Sequence, residues 1–342
     1  MPERQLVSGT RQPEDAQFEA GLRPRRLADF TGQSRLKEIL GIAVQAARMR
    51  GEAMDHVLLY GPPGLGKTTL ASIIAEELEV GFTITSGPVL QKKLDLTGIL
   101  SNIREHQVFF IDEIHRLLPD VEEMLYSALE DFRVDILVGT GPGARTVSLP
   151  MPKFTAVGAT TRQGLVSAPL RGRFGLTLRL EPYAVTELKI IVQRSARLLS
   201  VEIEDEAAEE LARRCRGTPR IANRLLRRVR DHAQVRADGR ITLPLAQTAL
   251  NLLDVDPYGL DEIDQKIMRT ILEKHRGGPV GVNTIAASIS EEADTIEEVY
   301  EPYLIQLGFL NRTPRGRTAT DAAFEYFNVK RKMGNGDQPA LF

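Results

Sequence analysis

A glycine-rich turn followed by a lysine and a threonine is the segment with the most chemical content in this sequence. An apolar run at Val57–Tyr60 leads into the turn at 61–66, and Lys67, Thr68 and a helix-forming segment at 70–78 follow. Glycines let successive backbone N–H groups curl around a phosphate, and the helix N-terminus adds the positive end of its dipole. The lysine then reaches the outer phosphates, and the threonine hydroxyl ligates Mg²⁺. This order is that of a P-loop, so we predict that the chain binds a nucleoside triphosphate.

Two adjacent carboxylates end the next strongly apolar run. Residues 108–111 are Val-Phe-Phe-Ile, and Asp112 and Glu113 follow them. In a P-loop protein one carboxylate at this place holds Mg²⁺, and a second one polarises the water that attacks the γ-phosphate. We therefore predict that Asp112 holds the metal and that Glu113 is the general base.

The same carboxylates allow another interpretation, because Asp-Glu-Ile-His at 112–115 resembles a box of the superfamily 2 helicases. Those helicases need two tandem RecA-like domains. The rest of this chain has no strand pattern for a second such domain, so we reject this interpretation.

Three further positions could complete a hydrolytic site. Thr161 ends the Gly-Ala-Thr-Thr segment at 158–161, where a hydroxyl can position the attacking water. Arg173 precedes a predicted domain boundary, which suits an arginine finger supplied to the γ-phosphate of a neighbouring subunit. Arg220 lies at a predicted helix start, where its guanidinium could fold onto the nucleotide from a second domain. The competing interpretations are a structural threonine and surface arginines.

The elements that must position these residues alternate between strand and helix. Strands are predicted at 56–60, 81–85, 107–111 and 154–159, and helices between them at 70–78, 95–106 and 121–131. This alternation predicts a parallel sheet covered by helices, the α/β class. The segments 133–138 and 144–149 flank a glycine-rich turn, which predicts a projecting hairpin. Its Val and Leu side chains could pack in the core, but we favour an arm that binds a partner.

Two smaller domains are predicted to follow. Helical periodicity at 186–199, 206–216, 220–232 and 244–253 predicts a small all-α domain. Helices at 261–275, 282–289 and 294–307 before a hairpin at 308–317 indicate a winged helix, with a kink or break expected at Pro302. The predicted organisation is a poorly ordered tail at 1–21, a P-loop domain at 22–182, a helical domain at 183–255 and a winged-helix domain at 256–342.

The predicted wing carries a local cationic patch. Arg312, Arg315 and Arg317 lie within 302–320, a stretch that contains no acidic residue. A short cationic hairpin without aromatic residues favours contacts with DNA phosphates over the reading of bases. The arginines at 213–230 have acidic neighbours instead, which indicates solvated helix faces with ion pairs.

Composition excludes several classes of protein. The 342 residues carry 44 Lys and Arg against 46 Asp and Glu, so any nucleic acid must be bound by a local basic patch. The single cysteine, Cys215, excludes an intramolecular disulfide, and the five scattered histidines form no zinc pattern. No apolar run is long enough for a membrane span, and the N-terminus lacks the apolar core of a signal peptide. We therefore predict a cytoplasmic protein without membrane contact.

Taken in order, these motifs resemble the AAA+ ATPases and, more narrowly, the RuvB family of bacterial Holliday junction branch-migration motors. The similarity runs from Leu-Arg-Pro at 22–24 through the P-loop and the acids to Leu-Arg-Gly-Arg-Phe-Gly at 170–175, Gly-Thr-Pro-Arg at 217–220 and the winged C-terminus. The resemblance implies an α/β AAA+ P-loop domain with a parallel sheet, a small all-α lid domain and a C-terminal winged-helix domain. It also implies ATP and Mg²⁺ as cofactors.

The resemblance further implies roles for individual nucleotide-site residues. Leu22 and Arg23 would line the adenine pocket, and Tyr183 would close it from the lid. The phosphates and Mg²⁺ would be bound by Gly64, Gly66, Lys67, Thr68 and Thr69. Asp112 and Glu113 would be the Walker B acids, Thr161 (less directly Thr160) sensor 1, Arg220 sensor 2 and Arg173 the finger in trans. The Leu-Glu-Asp-Phe motif would place Glu130, Asp131 and Phe132 beside the nucleotide.

Partners also follow from the resemblance. Family members act as homohexameric rings that pump duplex DNA at Holliday junctions, and Arg312, Arg315 and Arg317 would contact that DNA. The hairpin at 133–149 would dock the junction-binding partner RuvA, and a RuvC-type resolvase would join a larger complex. The function implied is ATP-driven branch migration in recombination, DNA repair and the rescue of stalled forks.

Two other functions are weighed against this one. A clamp loader or initiator of the same superfamily would use ATP as a switch and hold DNA without translocating. A winged-helix regulator with a degenerate nucleotide fold would not be an enzyme, and the intact set of Lys67, Asp112 and Glu113 argues against it.

Overall fold

The computed structural model describes residues 21–138 and 145–330. The described residues up to Ile191 form one compact unit, and those from Val192 onward form a second. The predicted tail at 1–21 lies outside the described residues except for Gly21, and so does the turn at 139–143 of the predicted hairpin. The predicted domain boundaries stay predictions.

A five-stranded parallel sheet is the centre of the first unit. Its strands are β1 (Val57–Tyr60), β2 (Phe82–Ser86), β3 (Val108–Asp112), β6 (Thr155–Thr160) and β7 (Leu176–Arg179), in the spatial order β2-β3-β6-β1-β7. All six residues of β6 are buried, as are the first four of β3, because helices cover the sheet. Four strands were predicted. The fifth, β7, was missed, since its Leu-Thr-Leu-Arg sequence lies at the sheet edge and is short and half polar.

Helices connect these strands. They are α1 (Ser34–Arg50), α2 (Lys67–Leu78), α3 (Lys93–Leu100), α4 (Pro119–Glu130) and α5 (Ala168–Arg171). The prediction for α3 was wrong at its C-terminal end, which was placed at 106. Ser101 caps this helix instead, and Arg104 and Gln107 form a turn that leads directly into β3.

The register of the sheet brings the predicted site residues to one edge. Tyr60 lies opposite Thr160, and Ser86 lies opposite Asp112. Because the strands are parallel, their carboxyl ends meet on the same side, where ligands bind in open α/β sheets. The P-loop, the acids and the threonine tip therefore share this edge.

The predicted hairpin is present. Strands β4 (Arg133–Val138) and β5 (Arg145–Pro150) pair antiparallel outside the main sheet, with Arg133 opposite Pro150. Val134 is buried in the core of the unit, whereas Val147 and Leu149 are exposed. The base of the hairpin is thus anchored, and its second strand offers apolar side chains at the surface.

The second unit begins within α6 (Val185–Leu198) and continues with α7 (Asp205–Arg213), α8 (Pro219–Arg236) and α9 (Leu243–Leu252). Leu211, Leu225, Val229 and Leu250 are fully buried, as the helical periodicity predicted. None of the helices in the described ranges is long and apolar enough to cross a membrane.

Helices and a two-stranded wing make up the C-terminal part of this unit. The helices are α10 (Glu262–Arg269), α11 (Val282–Ile289), α12 (Ala293–Thr295), α13 (Glu301–Gln306) and α14 (Asp321–Tyr326), and β8 (Leu310–Thr313) pairs with β9 (Gly316–Ala319). The predicted irregularity at Pro302 is present as a π-helical turn at Ile296–Tyr300 that joins α12 to α13. Proline lacks the N–H that an α-helix would use there, and the wider turn accommodates this.

A buried arginine ties the helical bundle to the winged helix within this unit. Arg216 lies between α7 and α8 and is 6% exposed. Its Nε donates to the Gly259 carbonyl at 2.7 Å, and its guanidinium pairs with Asp264 of α10. Its Cζ also lies 5.2 Å from the ring centroid of Tyr303. Three segments of the winged helix therefore converge on one side chain of the bundle.

We expect Arg216→Ala to lower the free energy of unfolding of this unit by about 3 kcal/mol, because the buried Asp264 loses its charged partner. Urea unfolding followed by circular dichroism measures the effect. Arg213→Ala is the matched control, since Arg213 pairs with Glu209 at the surface, and we expect a change below about 1 kcal/mol. Equal effects of the two variants would contradict a structural role for the buried pair.

Candidate active site

The P-loop has the backbone that its glycines predict. Gly61, Gly64 and Gly66 have φ values of 143°, 81° and 102°. A Cβ atom on Gly61 would lie 2.4 Å from the Leu180 carbonyl oxygen, so no other residue fits there. The turn ends at Gly66, the N-cap of α2, which directs the helix N-terminus into the loop.

Lys67 is held inside this loop. It is the first residue of α2 and is 8% exposed. Its Nζ donates to the carbonyl oxygens of Gly61 and Pro62 at 2.7 and 2.9 Å. These contacts keep the ammonium group inside the loop, from which it can exchange the two carbonyl oxygens for phosphate oxygens.

Thr68 and Asp112 approach each other across the sheet edge. The Thr68 Oγ1 lies 3.5 Å from Asp112 Oδ2, and Asp112 Oδ1 accepts a hydrogen bond from the Glu113 N–H at 3.0 Å. Two cis ligands of octahedral Mg²⁺ are about 3 Å apart, so these oxygens fit a shared ion. Among the described residues no cluster of three His, Cys, Asp or Glu could hold a metal. Binding of Mg²⁺ by Thr68 and Asp112 stays a prediction.

Glu113 directly follows Asp112, the acid predicted to bind the metal. Its backbone has φ 48° and ψ 46°, a left-handed conformation that is uncommon for a residue with a side chain. Its carboxylate pairs with Arg116 at 3.1 Å, and both side chains are about half exposed. The general-base role of Glu113 stays a prediction.

The two threonines at the end of β6, Thr160 and Thr161, have different surroundings. Thr160 is 1% exposed, and its hydroxyl lies 3.0 Å from His115 Nδ1 and accepts from the Arg162 N–H. Burial lowers the pKa of His115, so the imidazole is neutral at pH 7. The Thr160 hydroxyl therefore ties β6 to the turn after the acids. The sensor role of Thr161, which is half-buried just past the strand, stays a prediction.

Leu22, Arg23 and Tyr183 are the residues predicted to enclose the adenine. Leu22 is buried, and Arg23 is partly buried. The Tyr183 hydroxyl donates to the Leu65 carbonyl within the P-loop at 3.1 Å, and burial raises the pKa of this phenol. The structure brings Tyr183 to the loop backbone. Adenine contacts by these three residues stay predictions.

Arg173 is held by α4 and α5. Its guanidinium pairs with Glu130 at 2.8 Å, donates to the Pro169 carbonyl at 2.7 Å and stacks over the Tyr126 ring. A cavity of about 390 Å³ opens beside it, lined by Leu129, Glu130, Ala168, Pro169, Gly172 and Arg173. The structure thus places two residues of the predicted site, Arg173 and Glu130, in the wall of one cavity.

The other residues of the Leu-Glu-Asp-Phe motif have different surroundings. Asp131 pairs with Arg133 at 3.2 Å. The Phe132 ring lies 6.1 Å from His56 and 5.8 Å from Phe154, centroid to centroid, so its side chain packs in the core. A nucleotide contact by either residue stays a prediction. Arg220 lies in the first turn of α8, in the second unit, and its sensor role is likewise untested.

The three wing arginines differ from one another. Arg312 and Arg315 are exposed, and Arg312 lies 3.3 Å from Glu297. Arg317 is 8% exposed and pairs with Glu297 and with the buried Glu301. These hydrogen bonds raise the pKa of Arg317, which keeps its charge. β9 turns the Arg317 side chain inward to pair with two acids, so of the three arginines only Arg312 and Arg315 are exposed, and DNA contact by any of them stays a prediction.

Sequence reasoning missed two residues around the acids. His115 was considered only as part of a helicase box, yet it links the acid turn to Thr160. Arg116 was not considered, although its spacing of three residues from Glu113 is a signal for an ion pair.

Three family models match consecutive parts of the chain. The P-loop domain of the Holliday junction DNA helicase RuvB matches residues 22–180. The RuvB AAA lid domain matches residues 183–256, and the RuvB C-terminal winged-helix domain matches residues 257–328.

Relatives match over nearly the whole chain. The Holliday junction branch migration complex subunit RuvB of Solibacter usitatus (strain Ellin6076) is 86% identical over 342 residues, which are 100% of this chain and 99% of that protein. The subunit of the same name from Dehalococcoides mccartyi (strain CBDB1) is 56% identical over 337 residues, 98% of this chain and 97% of the relative.

Solved structures agree with these matches. The Thermotoga maritima RuvB Holliday junction branch migration motor is 54% identical, with a TM-score of 0.83 over 91% of this chain and 99% of that chain. The resemblance and the fold class predicted from the sequence are confirmed. From its P-loop to its wing, this chain belongs to the RuvB family.

Proposed function

We propose that this chain is the ATP-driven motor of a Holliday junction branch-migration complex. Six copies form a ring that hydrolyses ATP and pulls duplex DNA through a junction held by a RuvA-type protein. The observation that carries the proposal is the arrangement at one edge of the sheet. The P-loop holds Lys67, Thr68 lies beside Asp112 at the end of β3, and Glu113 is the next residue. The names of the relatives, which are subunits of a branch migration complex, support the choice of substrate.

The proposed catalytic roles are supported by the contacts of the P-loop and the acids. Lys67 leaves the Gly61 and Pro62 carbonyls and binds the β- and γ-phosphates of ATP. Thr68 and Asp112 would hold Mg²⁺, and the ion would supply positive charge that stabilises the phosphates in the transition state. Glu113 orients the attacking water and takes its proton. Thr161 positions the same water, and Gly64, Gly66 and Thr69 bind phosphate through the loop and the helix start.

The second half of the site comes from a neighbouring copy. Arg173 enters from an adjoining subunit and stabilises charge on the γ-phosphate in the transition state. Arg220 approaches the nucleotide from the lid. Leu22, Arg23 and Tyr183 enclose the adenine. Glu130, which pairs with Arg173, lies on the face that supplies the finger to the neighbour, and Asp131 and Phe132 follow it directly after α4. Hydrolysis then changes the angle between domains and moves the bound DNA.

The remaining partners are assigned to the exposed hairpin and to the wing. The hairpin with exposed Val147 and Leu149 docks the RuvA-type protein, and a RuvC-type resolvase joins the same assembly. Arg312 and Arg315 contact DNA phosphates. Arg317 stabilises the wing through its ion pairs with Glu297 and Glu301, and it lies near DNA only because it is part of β9. The complex acts in the cytoplasm during recombination, DNA repair and the rescue of stalled forks.

A synthetic four-way junction tests the proposal. With ATP, Mg²⁺ and a RuvA-type protein, we expect the chain to convert the junction into duplex products, with sustained ATP turnover stimulated by DNA. A single round of hydrolysis per binding event, without strand exchange, would contradict the motor and favour a loader that uses ATP as a switch.

The wing makes a separate prediction. Arg312→Ala and Arg315→Ala should each weaken binding to duplex DNA for all sequences alike. Each should also lower the slope of log K against log salt concentration by about one, because one phosphate contact is lost. Fluorescence anisotropy over a salt series measures this. Arg240→Ala is the control, since Arg240 pairs with Glu202 outside the wing. An unchanged slope in both wing variants would remove the wing from the DNA interface.

A further inference from the structure

The Arg173 guanidinium is restrained on three sides within its own subunit. The Tyr126 ring covers one face, with 4.5 Å from Cζ to the ring centroid. Its Nη2 pairs with the Glu130 carboxylate, and its Nη1 donates to the Pro169 carbonyl. Only 26% of the side chain is exposed. An arginine with this many partners occupies one rotamer, whereas a surface arginine samples many.

Tyr126 is itself fixed to the segment that carries Arg173. Its hydroxyl donates to the Glu122 carboxylate, and the Ser167 hydroxyl donates to the same carboxylate. The Ser167 Oγ also caps α5 by accepting from the Leu170 N–H at 3.2 Å. The ring of Tyr126 and the backbone before Arg173 are therefore tied to one carboxylate on α4.

The surroundings of the guanidinium suit an incoming anion. The cavity of about 390 Å³ has Arg173 and Glu130 in its wall. A triphosphate brought to this cavity competes with the Glu130 carboxylate for the guanidinium. The Tyr126 ring competes with neither the triphosphate nor the carboxylate, because it covers the flat face of the guanidinium and both anions bond the N–H groups in the guanidinium plane.

We propose that Tyr126 is a positioning residue for the arginine finger, holding the Arg173 guanidinium by cation–π stacking ready for the γ-phosphate of a neighbouring copy. This inference rests on the proposed role of Arg173 in trans. The stack reduces the loss of rotamer freedom when the finger engages. Glu130 balances the charge of Arg173 until phosphate displaces it.

Two variants of Tyr126 separate the ring from its hydroxyl. Tyr126→Phe keeps the stack and loses the bonds to Glu122 and Ser167, so we expect kcat within about twofold of the parent. Tyr126→Leu loses the stack, and we expect kcat to fall about tenfold while KM for ATP changes less than about twofold. Equal losses of kcat in the two variants would locate the effect in the hydroxyl contacts and overturn the proposal.

Mixed rings test whether the defect acts in trans. Tyr126→Leu protomers are mixed with Lys67→Ala protomers, which have an intact finger but a defective P-loop. We expect turnover per Tyr126→Leu protomer to rise, because some working sites then receive an intact neighbour. Arg173→Ala mixed with Lys67→Ala is the reference. A gain only in the reference mixture would give Tyr126 a merely local structural role and overturn the proposal. No gain in either mixture would overturn the trans finger itself, and the Tyr126 proposal with it.

Discussion

Arg173→Ala is expected to lower kcat for ATP hydrolysis by about 10³-fold or more, the range measured for arginine fingers. The side chain acts on charge that develops in the transition state, so KM for ATP should change little. Steady-state turnover in the presence of duplex DNA measures the effect. The cavity beside the guanidinium and the ion pair with Glu130 place this residue where an anion can displace a carboxylate.

Arg171→Ala is the matched control for that experiment. Arg171 ends α5 two residues earlier and is exposed. Removing it leaves the Tyr126 stack and the Glu130 pair in place, so kcat should stay within about twofold of the parent. An Arg173→Ala protein that hydrolyses ATP as fast as the Arg171→Ala protein would exclude the finger.

Glu113→Gln is expected to lower kcat by about 10²- to 10⁴-fold while ATP still binds, because an amide cannot take the proton of the attacking water. Asp112, Thr68 and Lys67, the predicted ligands of the phosphates and of Mg²⁺, are unchanged in this variant. Equilibrium binding of a fluorescent ATP analogue, measured beside turnover, separates the two effects.

The control for the base is Glu123→Gln. Glu123 lies on α4, is 73% exposed and pairs with Lys93 at 3.5 Å, so its loss should leave turnover unchanged. A Glu113→Gln protein with parental kcat would show that another group activates the water. His115 would be the first to examine, since it bonds Thr160 beside the acids.

The nucleotide-binding half of the site could be predicted from sequence because its geometry is local. A glycine-rich turn between a strand and a helix has few possible shapes, and Gly61, Gly64 and Gly66 have the positive φ values that the turn needs. The carboxyl ends of parallel strands meet at one edge, so Asp112 was expected beside Thr68 as soon as the strands were recognised.

Contacts between distant segments could not be predicted in this way. Three arginines of the wing look equivalent in sequence, yet β9 directs Arg317 onto Glu297 and Glu301 of a separate helix. The stack of Tyr126 on Arg173 likewise joins α4 to α5. No local pattern encodes either contact, since each depends on how two elements pack.

Edge strand β7 shows a different limit. It pairs with β1 through Val57 opposite Leu176, but among the described residues no strand pairs with its other side, and only Leu178 of β7 is buried. A short strand with little apolar surface has the composition of a loop. It is a strand because it pairs with β1, and local composition does not reveal that pairing.

The central claim is that one active site is built from two copies of this chain. Turnover per protomer, measured against protein concentration while light scattering reports the mass of the particles, tests it most directly. We predict that turnover per protomer falls steeply as the assemblies dissociate on dilution, and that it becomes undetectable for monomers. Monomers that hydrolyse ATP at the full rate would contradict the account.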